Sequence, residues 1–243
     1  MELIYQQEFT VTENLADRFG RAKSSAVLYF IQEAAGKHCR LLEADHAVLA
    51  DRHLFWAISR NRVQIDRLPR LHETFTVETW PMPTTRVAYP RAVTARDKEG
   101  NVLFRSVSLW VLMDDRTRAL VLPGKSGVTV PGTLTGAELS TPTSIAARPT
   151  ENPVTRQVGF SLLDRTGHMN NTRYMDWVDD LLPSAFHEHQ PVRELSIIYL
   201  NEALEAEKIH LSHILSDGPV LTVNAERENG ENRDRIFAAQ VVF

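Results

Sequence analysis

The sequence predicts an α+β protein made of two tandem repeats, each with one helix and an antiparallel sheet. One observation is a repeated motif: residues 16–25, ADRFGRAKSS, share Asp, Arg and Gly with residues 163–172, LDRTGHMNNT, at matching positions. The other is the element order. In both repeats the motif precedes apolar residues at helical spacing and then four strand-like runs. Recurrence of the whole order at the same spacing indicates a duplicated unit.

In the first repeat, apolar residues at helical spacing extend from Ser24 to about Ala44. Ser24 or Ser25 is the expected N-cap, because a short side-chain oxygen accepts from unpaired N–H groups of the first turn. Strand-like runs follow at residues 54–66, 74–80, 86–97 and 102–113. Pro90 is expected at a bulge or a sheet edge, since it cannot donate to a ladder.

In the second repeat, a short strand is expected near Arg156–Phe160, just ahead of the motif. The helix that follows is expected to end at Pro183. Its apolar face consists of Tyr174, Trp177, Val178 and Leu181. Further strand-like runs at 192–201, 208–216, 219–228 and 235–243 complete the repeat.

The segment between the repeats differs in composition. Residues 126–152 are rich in Thr, Pro, Gly, Ala and Ser, which is typical of a linker laid over the surface. The predicted domains are therefore residues 1–125 and 153–243. Each is a sheet wrapped around one helix, which is the hot-dog architecture. Two such units usually pair their sheets edge to edge, which removes exposed strand edges.

Composition and charge limit the function. The net charge of −4 argues against broad binding to nucleic acids. No segment approaches the roughly 18 uninterrupted apolar residues of a membrane span, and the N-terminus lacks the pattern of a secretory signal. The single cysteine, Cys39, allows no internal disulfide and fits a reducing compartment. The expected location is the cytoplasm.

Three polar residues occur in the second repeat alone: His168, Asn170 and Asn171 stand where the first repeat has two basic residues and a serine. The fold does not demand them, because the other repeat does without them. A histidine just before a helix start, near Asp164, could exchange protons where N–H groups hold an oxyanion. This pattern favours acyl transfer or hydrolysis. A solvated loop histidine and capping asparagines are the alternatives that the pattern leaves open.

Other candidate groups carry weaker signals. Glu202 follows a strand where the first repeat has Leu68 or a neighbour, and spacing alone makes it an exposed acid. Cys39 is expected to be an inert residue within a helix. The remaining histidines of interest lack recognisable metal-ligand spacing, so neither metal nor cofactor is expected. They are His187, His189, His210 and His213.

Several segments resemble the acyl-[acyl carrier protein] thioesterases of plants and bacteria, which release free fatty acids. In the second repeat they are LDRTGHMNNTRYMDW (163–177) and IIYLNE (197–202). In the first repeat they are YFIQEAAGKH (29–38), LFWAISRNRVQIDRLPR (54–70), VETW (77–80) and SLWVLMDDRTRAL (108–120). The resemblance spans almost the whole chain and implies a double hot-dog that hydrolyses thioesters with water and without a cofactor.

The resemblance also implies roles for individual residues. The catalytic aspartate, histidine and acid of the family fall on Asp164, His168 and Glu202. Thr166 stands where the family has an asparagine, and Ala203 where some members have a cysteine, which removes any thiol role there.

The catalytic site is expected to include further polar groups. Thr166, one of the two asparagines 170 and 171, or a water molecule is expected to cover the role of the missing amide. The N–H groups at the helix start near Asn170 are expected to stabilise the oxyanion.

The first repeat is then expected to bind the acyl chain, and the partner to be an acyl carrier protein. Its candidate contacts, which are otherwise ordinary surface residues, are Arg60, Arg62, Arg67, Arg70, Arg86 and Arg91. A hot-dog acyl-CoA thioesterase and a non-catalytic acyl-binding protein are the alternative functions, and a hot-dog dehydratase fits the motif less well. Pairing into a homodimer stays open.

Overall fold

The computed structural model describes residues 3–146, 153–230 and 232–243. Within these ranges, the strands are β1 (Tyr5–Thr10), β2 (Leu54–Ile65), β3 (Thr74–Pro81), β4 (Tyr89–Arg96), β5 (Val102–Asp114), β6 (Leu120–Val121), β7 (Val154–Gln157), β8 (Glu194–Tyr199), β9 (Lys208–Ser216), β10 (Val220–Asn229) and β11 (Asn232–Val242). The α-helices are α1 (Ser24–Leu41), α2 (His46–Ala50), α3 (Pro123–Ser126), α4 (Tyr174–Asp179) and α5 (Ser184–His189). The first repeat comprises β1–β6 with α1–α3, and the second comprises β7–β11 with α4 and α5.

All strands belong to one antiparallel sheet with the order β1-β3-β4-β5-β2-β8-β11-β10-β9-β7, and β6 pairs with β5. The order in the second repeat mirrors that in the first. The repeats meet where β2 pairs with β8, with Asn61 opposite Ile197. This pairing covers one edge of each sheet and confirms the predicted double hot-dog.

Helix α1 is the central helix of the first repeat, and its apolar face lies against the sheet. Phe30, Ile31 and Ala34 are at most 1% exposed, and the Phe30 ring meets Phe75 edge-on with centroids 5.1 Å apart. The predicted N-caps are wrong: Lys23 occupies the N-cap position, and the hydroxyls of the two serines bind carboxylates of α4 instead. Contact between the repeats has replaced local capping.

Helix α4 is shorter than predicted. It spans six residues, whereas the corresponding helix α1 spans eighteen. Tyr174, Trp177 and Val178 are buried as expected, but Leu181 lies beyond the helix. Pro183 does not end α4. It is the N-cap of α5, where the missing N–H costs no helical hydrogen bond.

Pro90 lies in neither a bulge nor an edge strand. Strand β4 runs between β3 and β5, and Pro90 pairs with Leu109 in regular register. Its carbonyl accepts from the Met82 N–H at 2.9 Å, just beyond the end of β3 at Pro81. The proline therefore lies where the β3–β4 ladder stops, so its missing N–H leaves no partner unsatisfied.

Residues 127–146 contain neither helix nor strand and lie along the first repeat. The Thr133 N–H donates to the Pro81 carbonyl at 2.9 Å, and Trp80 Nε1 donates to Glu138 at 2.9 Å. Desolvation opposes ionisation of Glu138, but hydrogen bonds from Thr135 and Trp80 outweigh it and lower the pKa of Glu138 to about 2. The predicted boundaries at residues 125 and 153 stay predictions, and residues 147–152 lie outside the described residues.

The helices of the described ranges include none that is both long and apolar enough to cross a membrane.

Candidate active site

The repeated motif folds into the same turn in both repeats. The Asp17 N–H donates to the Arg21 carbonyl at 2.7 Å, and the Asp164 N–H donates to the His168 carbonyl at 2.8 Å. Each aspartate also accepts from the backbone N–H two residues later, at 2.8 Å in both repeats. The motif glycines have φ values of +69° and +83°, a region that glycine adopts without steric cost. The shared Asp and Gly are therefore required by the turn itself.

The side chains on this turn differ between the repeats. In the first repeat, Arg21 Nε donates to Asp17 Oδ2 at 3.0 Å. In the second, Thr166 Oγ1 donates to Asp164 Oδ1 at 2.6 Å and lies 2.9 Å from His168 Nδ1. Because the single hydroxyl proton points to the carboxylate, Oγ1 accepts from Nδ1–H. In neutral His168, Nε2 is then the nitrogen with a free lone pair.

Glu202 faces that nitrogen, with its Oε2 3.3 Å from His168 Nε2. The His168 side chain is 22% exposed and that of Glu202 is 45% exposed, so water reaches both. The structure thus brings Asp164, Thr166, His168 and Glu202 together in one continuous polar chain.

The position of Glu202 also has an equivalent in the first repeat. The Ala22 N–H donates to the Pro69 carbonyl, and the Met169 N–H donates to the Ala203 carbonyl, both at 2.8 Å. Glu202, one residue before Ala203, therefore occupies the place of a leucine in the first repeat. Both acid–base groups are specific to the second repeat.

The segment that carries Glu202 is fixed by ion pairs outside the site. Arg227 donates to the Glu202 carbonyl at 3.1 Å and forms a salt bridge with Glu207 at 2.8 Å. The Glu207 carboxylate also accepts from the Leu204 N–H at 3.0 Å. These contacts hold the backbone at Glu202 and immediately after it.

Arg118 is a site residue that the sequence analysis missed. It lies in the turn between β5 and β6 of the first repeat, and its guanidinium donates to Glu202 Oε1. The same guanidinium lies over the Phe55 ring, 4.6 Å from its centroid. Arg118 belongs to a segment that resembles the thioesterases, SLWVLMDDRTRAL, but no local pattern indicates a contact with residue 202.

Asn170 has a local role in the turn before α4. Its Oδ1 accepts from the N–H and the hydroxyl of Thr172 at 3.0 and 2.8 Å. Its N–H donates to the Leu162 carbonyl at 2.9 Å, so this N–H cannot face an oxyanion, contrary to expectation. Helix α4 begins at Tyr174, and the expected helix start near Asn170 is wrong.

A cavity of about 1400 Å³ connects the polar chain with the first repeat. Its lining includes Asp164, Thr166, His168, Glu202 and Arg118 on one side. From the first repeat it includes Cys39, Phe55, Trp56, Ile58, Tyr89, Arg91 and Trp110. Cys39 is therefore a half-buried cavity residue, and an apolar chain can extend from the polar site into the first repeat.

Two tyrosines line the cavity beside the polar chain: Tyr174 is buried and Tyr199 is half-buried. Tyr199 donates to the Asn171 carbonyl at 2.9 Å, and its ring meets that of Tyr174 edge-on. Burial raises the pKa of both hydroxyls, so they remain protonated hydrogen-bond donors.

The six arginines expected to meet a partner do not form one surface. Arg62 pairs with Glu194 at 2.8 Å and Arg67 with Glu73 at 2.7 Å. Arg91 is 5% exposed, so its expected surface role is wrong. Arg60 donates to the Pro142 carbonyl, and Arg70 and Arg86 are exposed. In the described part of the chain, no group of three His, Cys, Asp or Glu side chains is arranged to hold a metal ion.

Two family models match the chain in succession. The model of the acyl-ACP thioesterase N-terminal domain matches residues 2–122, and that of the C-terminal domain matches residues 148–237. The chain belongs to the acyl-ACP thioesterase family.

Curated relatives of this acyl-ACP thioesterase family member share about a quarter of its residues. Dodecanoyl-[acyl-carrier-protein] hydrolase of Cinnamomum camphora is 25% identical over 225 residues, covering 82% of this chain and 56% of the relative. Palmitoyl-acyl carrier protein thioesterase of Gossypium hirsutum is 24% identical over 215 residues, covering 82% and 52%. The chain thus spans about half the length of these relatives.

Solved structures of acyl-ACP thioesterases share the fold over nearly the whole chain. The enzyme from Bacteroides thetaiotaomicron superposes with a TM-score of 0.89 at 23% identity, covering 99% of this chain and 97% of the other. The 12:0-ACP thioesterase from Umbellularia californica gives 0.82 at 21% identity, covering 100% and 97%. These likenesses establish the double hot-dog fold of this family member.

Proposed function

We propose that this protein hydrolyses the thioester of fatty acyl-[acyl carrier protein] and releases the free fatty acid, ending chain elongation in fatty-acid biosynthesis. The proposal rests on the hydrogen bonds that link Asp164 through Thr166 to His168, with Glu202 3.3 Å from the free ring nitrogen. These side chains line a cavity that extends into the first repeat. Membership of the family, whose relatives are named as hydrolases of dodecanoyl and palmitoyl carrier proteins, supports the substrate class.

Hydrolysis begins with a water molecule of the cavity that hydrogen-bonds to both His168 Nε2 and Glu202 Oε2, which lie 3.3 Å apart. Glu202 accepts one hydrogen bond from the water, and His168 Nε2 accepts the proton that the water loses as its oxygen attacks the carbonyl carbon. Asp164, acting through Thr166, fixes the ring orientation and stabilises the imidazolium that forms. Arg118 holds the other oxygen of Glu202, so that Oε2 stays turned toward the ring.

The carbonyl oxygen becomes the oxyanion of a tetrahedral intermediate. Since the Asn170 N–H is engaged, we assign this role to the side-chain amide of Asn170 and the N–H of Asn171, two donors from cavity residues. When the carbonyl re-forms, the C–S bond breaks and His168 returns its proton to the departing thiolate. The products are a carboxylic acid and a free thiol.

Hydrolysis by the purified protein tests this proposal. Turnover is measured with one acyl chain attached in turn to acyl carrier protein and to coenzyme A. We expect a higher kcat/KM with the carrier protein, and a fall of about 10²–10⁴-fold in His168→Ala. His189→Ala, an exposed histidine on α5, is the matched control and should behave as wild type.

Each other outcome favours a different function. A preference for coenzyme A would indicate an acyl-CoA thioesterase. Binding of acyl carriers without hydrolysis would indicate a non-catalytic acyl-binding protein.

The proposal also covers the partner protein and the division of the chain into domains. The acyl carrier protein is the proposed partner, and residues 1–125 and 153–243 are the proposed substrate-binding and catalytic domains. The cytoplasmic location and the homodimer stay predictions, which cell fractionation and sedimentation of the purified protein test.

A further inference from the structure

The sheet of the first repeat carries polar side chains where it packs against α1. We call five of them the polar belt: Asn61 on β2, Thr79 on β3, Arg91 on β4, and Ser106 and Ser108 on β5. Each is at most 5% exposed. They are linked across the strands, because Arg91 lies opposite Ser108 and Ser108 lies opposite Asn61. Buried polar groups are costly, so this belt requires a reason.

The second repeat has no polar belt at the corresponding positions, which the strand pairing identifies. In both repeats a register shift follows an alanine on the strand that corresponds to β4: Ala95 opposite Phe104, and Ala225 opposite Phe237. Counting from these pairs aligns β4 with β10 and β5 with β11 residue by residue.

At the aligned positions the second repeat is mostly apolar. Leu221 replaces Arg91 and Val241 replaces Ser108, and both are fully buried. The remaining pairs are Ala239 for Ser106, Leu195 for Asn61 and His213 for Thr79. Because the same fold forms with apolar residues at most of these positions, the belt is not a requirement of the hot-dog.

Arg91 is the charged member of the belt. Its guanidinium lies 3.1 Å from His38 Nδ1 and donates to Thr79 Oγ1 at 3.2 Å and to Cys39 Sγ at 3.5 Å. No carboxylate of the described chain forms a salt bridge with it, and burial lowers its pKa. A buried cation without an acidic partner is unfavourable, and apolar replacement of such groups is often neutral or stabilising.

Arg91 also lines the cavity that begins at the polar chain of the second repeat. The neighbouring cavity residues on the same strand are Tyr89 and Pro90, and α1 contributes Cys39 beside the guanidinium. An acyl chain whose thioester lies at His168 extends toward this part of the cavity. The guanidinium has five N–H donors, more than its three observed contacts use, so it can also bind an oxygen atom of a ligand.

We propose that Arg91 recognises an oxygen atom on the distal part of the acyl chain, so that the preferred substrates carry a hydroxyl or carboxylate there in place of a plain methyl end. This inference rests on the proposed thioester hydrolysis and names its substrate class. A hydrocarbon end would leave the remaining N–H donors of the guanidinium without an acceptor, whereas an oxygen atom forms a charge-assisted hydrogen bond with one of them.

The experiment compares three carrier-bound chains of equal length: one ending in methyl, one in hydroxyl and one in carboxylate. The comparison is repeated over several lengths. For wild type we expect kcat/KM to be about 10–100-fold higher with an oxygenated chain at the best length. Comparing kcat/KM for the hydroxyl-ended and carboxylate-ended chains shows whether the preferred acceptor is neutral or anionic.

Variants assign that preference to Arg91. Arg91→Leu introduces the residue of the second repeat and should abolish the preference for the oxygenated chains. Arg91→Lys keeps the charge and should retain part of the preference. Ser106→Ala, also the residue of the second repeat, removes a buried hydroxyl that does not line the cavity and should leave the ratio unchanged.

The inference is overturned if wild type prefers the methyl-ended chain at every length, or if Arg91→Leu leaves the ratio unchanged. Failure of the proposed function is a separate result, in which wild type hydrolyses none of the chains. Calorimetry then still tests Arg91, using free dodecanedioic and dodecanoic acids as the probes. Tighter binding of the diacid that is lost in Arg91→Leu supports the inference, and equal binding overturns it.

Discussion

The guanidinium of Arg118 hydrogen-bonds to the carboxylate of Glu202, and the two residues belong to different repeats. The first repeat therefore contributes to the site as well as to the cavity. The contact holds one oxygen of Glu202 while the other lies 3.3 Å from His168 Nε2. A change in how the repeats pack would thus alter the geometry of the acid–base pair.

Arg118→Met should lower kcat by about 10–100-fold, because Glu202 loses the charged hydrogen bond that orients it. KM should change less, since the methionine keeps an apolar contact with Phe55. Steady-state kinetics measures both constants. Arg116→Met removes an exposed arginine from the same turn and is the control. Equal losses in the two variants would argue against the orienting role.

Thr166→Val should lower kcat by about 10–100-fold, because valine has a similar shape but cannot link Asp164 to His168. Thr166→Asn should retain or raise activity, since an amide can donate to the carboxylate and accept from Nδ1–H. Thr155→Val is the matched control, because it breaks a 2.9 Å contact with His210 outside the cavity. A kcat of Thr166→Val equal to that of the wild type would contradict the role of Thr166 in linking Asp164 to His168.

The repeated turn could be predicted from sequence because its requirements are local. An aspartate binds N–H groups two and four residues later, and a glycine takes a positive φ, so both recur at fixed spacing. The order of elements along the chain and the edge-to-edge pairing of the two sheets followed from the same duplication. Comparing the two repeats also separated His168 from the residues that the turn itself requires.

The features that could not be predicted from sequence depend on contacts between distant segments of the chain. The hydroxyls of Ser24 and Ser25 bind α4 of the other repeat, so capping preferences gave the wrong prediction. Arg118 reaches a residue more than eighty positions away. Arg91 lies in a strand whose sequence resembles a solvated surface, and its burial becomes evident only when α1 covers that face.

Asp179 should make stability depend on pH. Burial raises its pKa from about 3.8 to about 7, carboxylates of Asp176, Asp180 and Asp17 add to the effect, and a hydrogen bond from Ser24 opposes it. The folded state therefore binds a proton that the unfolded state releases between these values. The free energy of unfolding should fall as pH rises from about 4 to about 7 and then level off.

Asp179→Asn should remove this slope. At pH 8 it should raise the free energy of unfolding by about 1–3 kcal/mol, and at pH 4 it should change little. Urea denaturation at several pH values measures the effect. Asp217→Asn, an exposed carboxylate in the turn between β9 and β10, is the control. An unchanged slope in Asp179→Asn would assign the pH dependence to other groups.

Gly132→Ala should destabilise the first repeat, because this glycine lies against the backbone of Met82, just beyond the end of β3. A Cβ there would lie 2.5 Å from the backbone carbonyl of Met82, so either the segment or the end of β3 must move. Overpacking of this kind costs about 1–3 kcal/mol. Gly124→Ala is the matched control, since no atom lies within 4 Å of its added Cβ and alanine favours the helix of α3. Thermal denaturation should show a lower Tm for Gly132→Ala alone, and equal Tm values would mean that the segment adapts without strain.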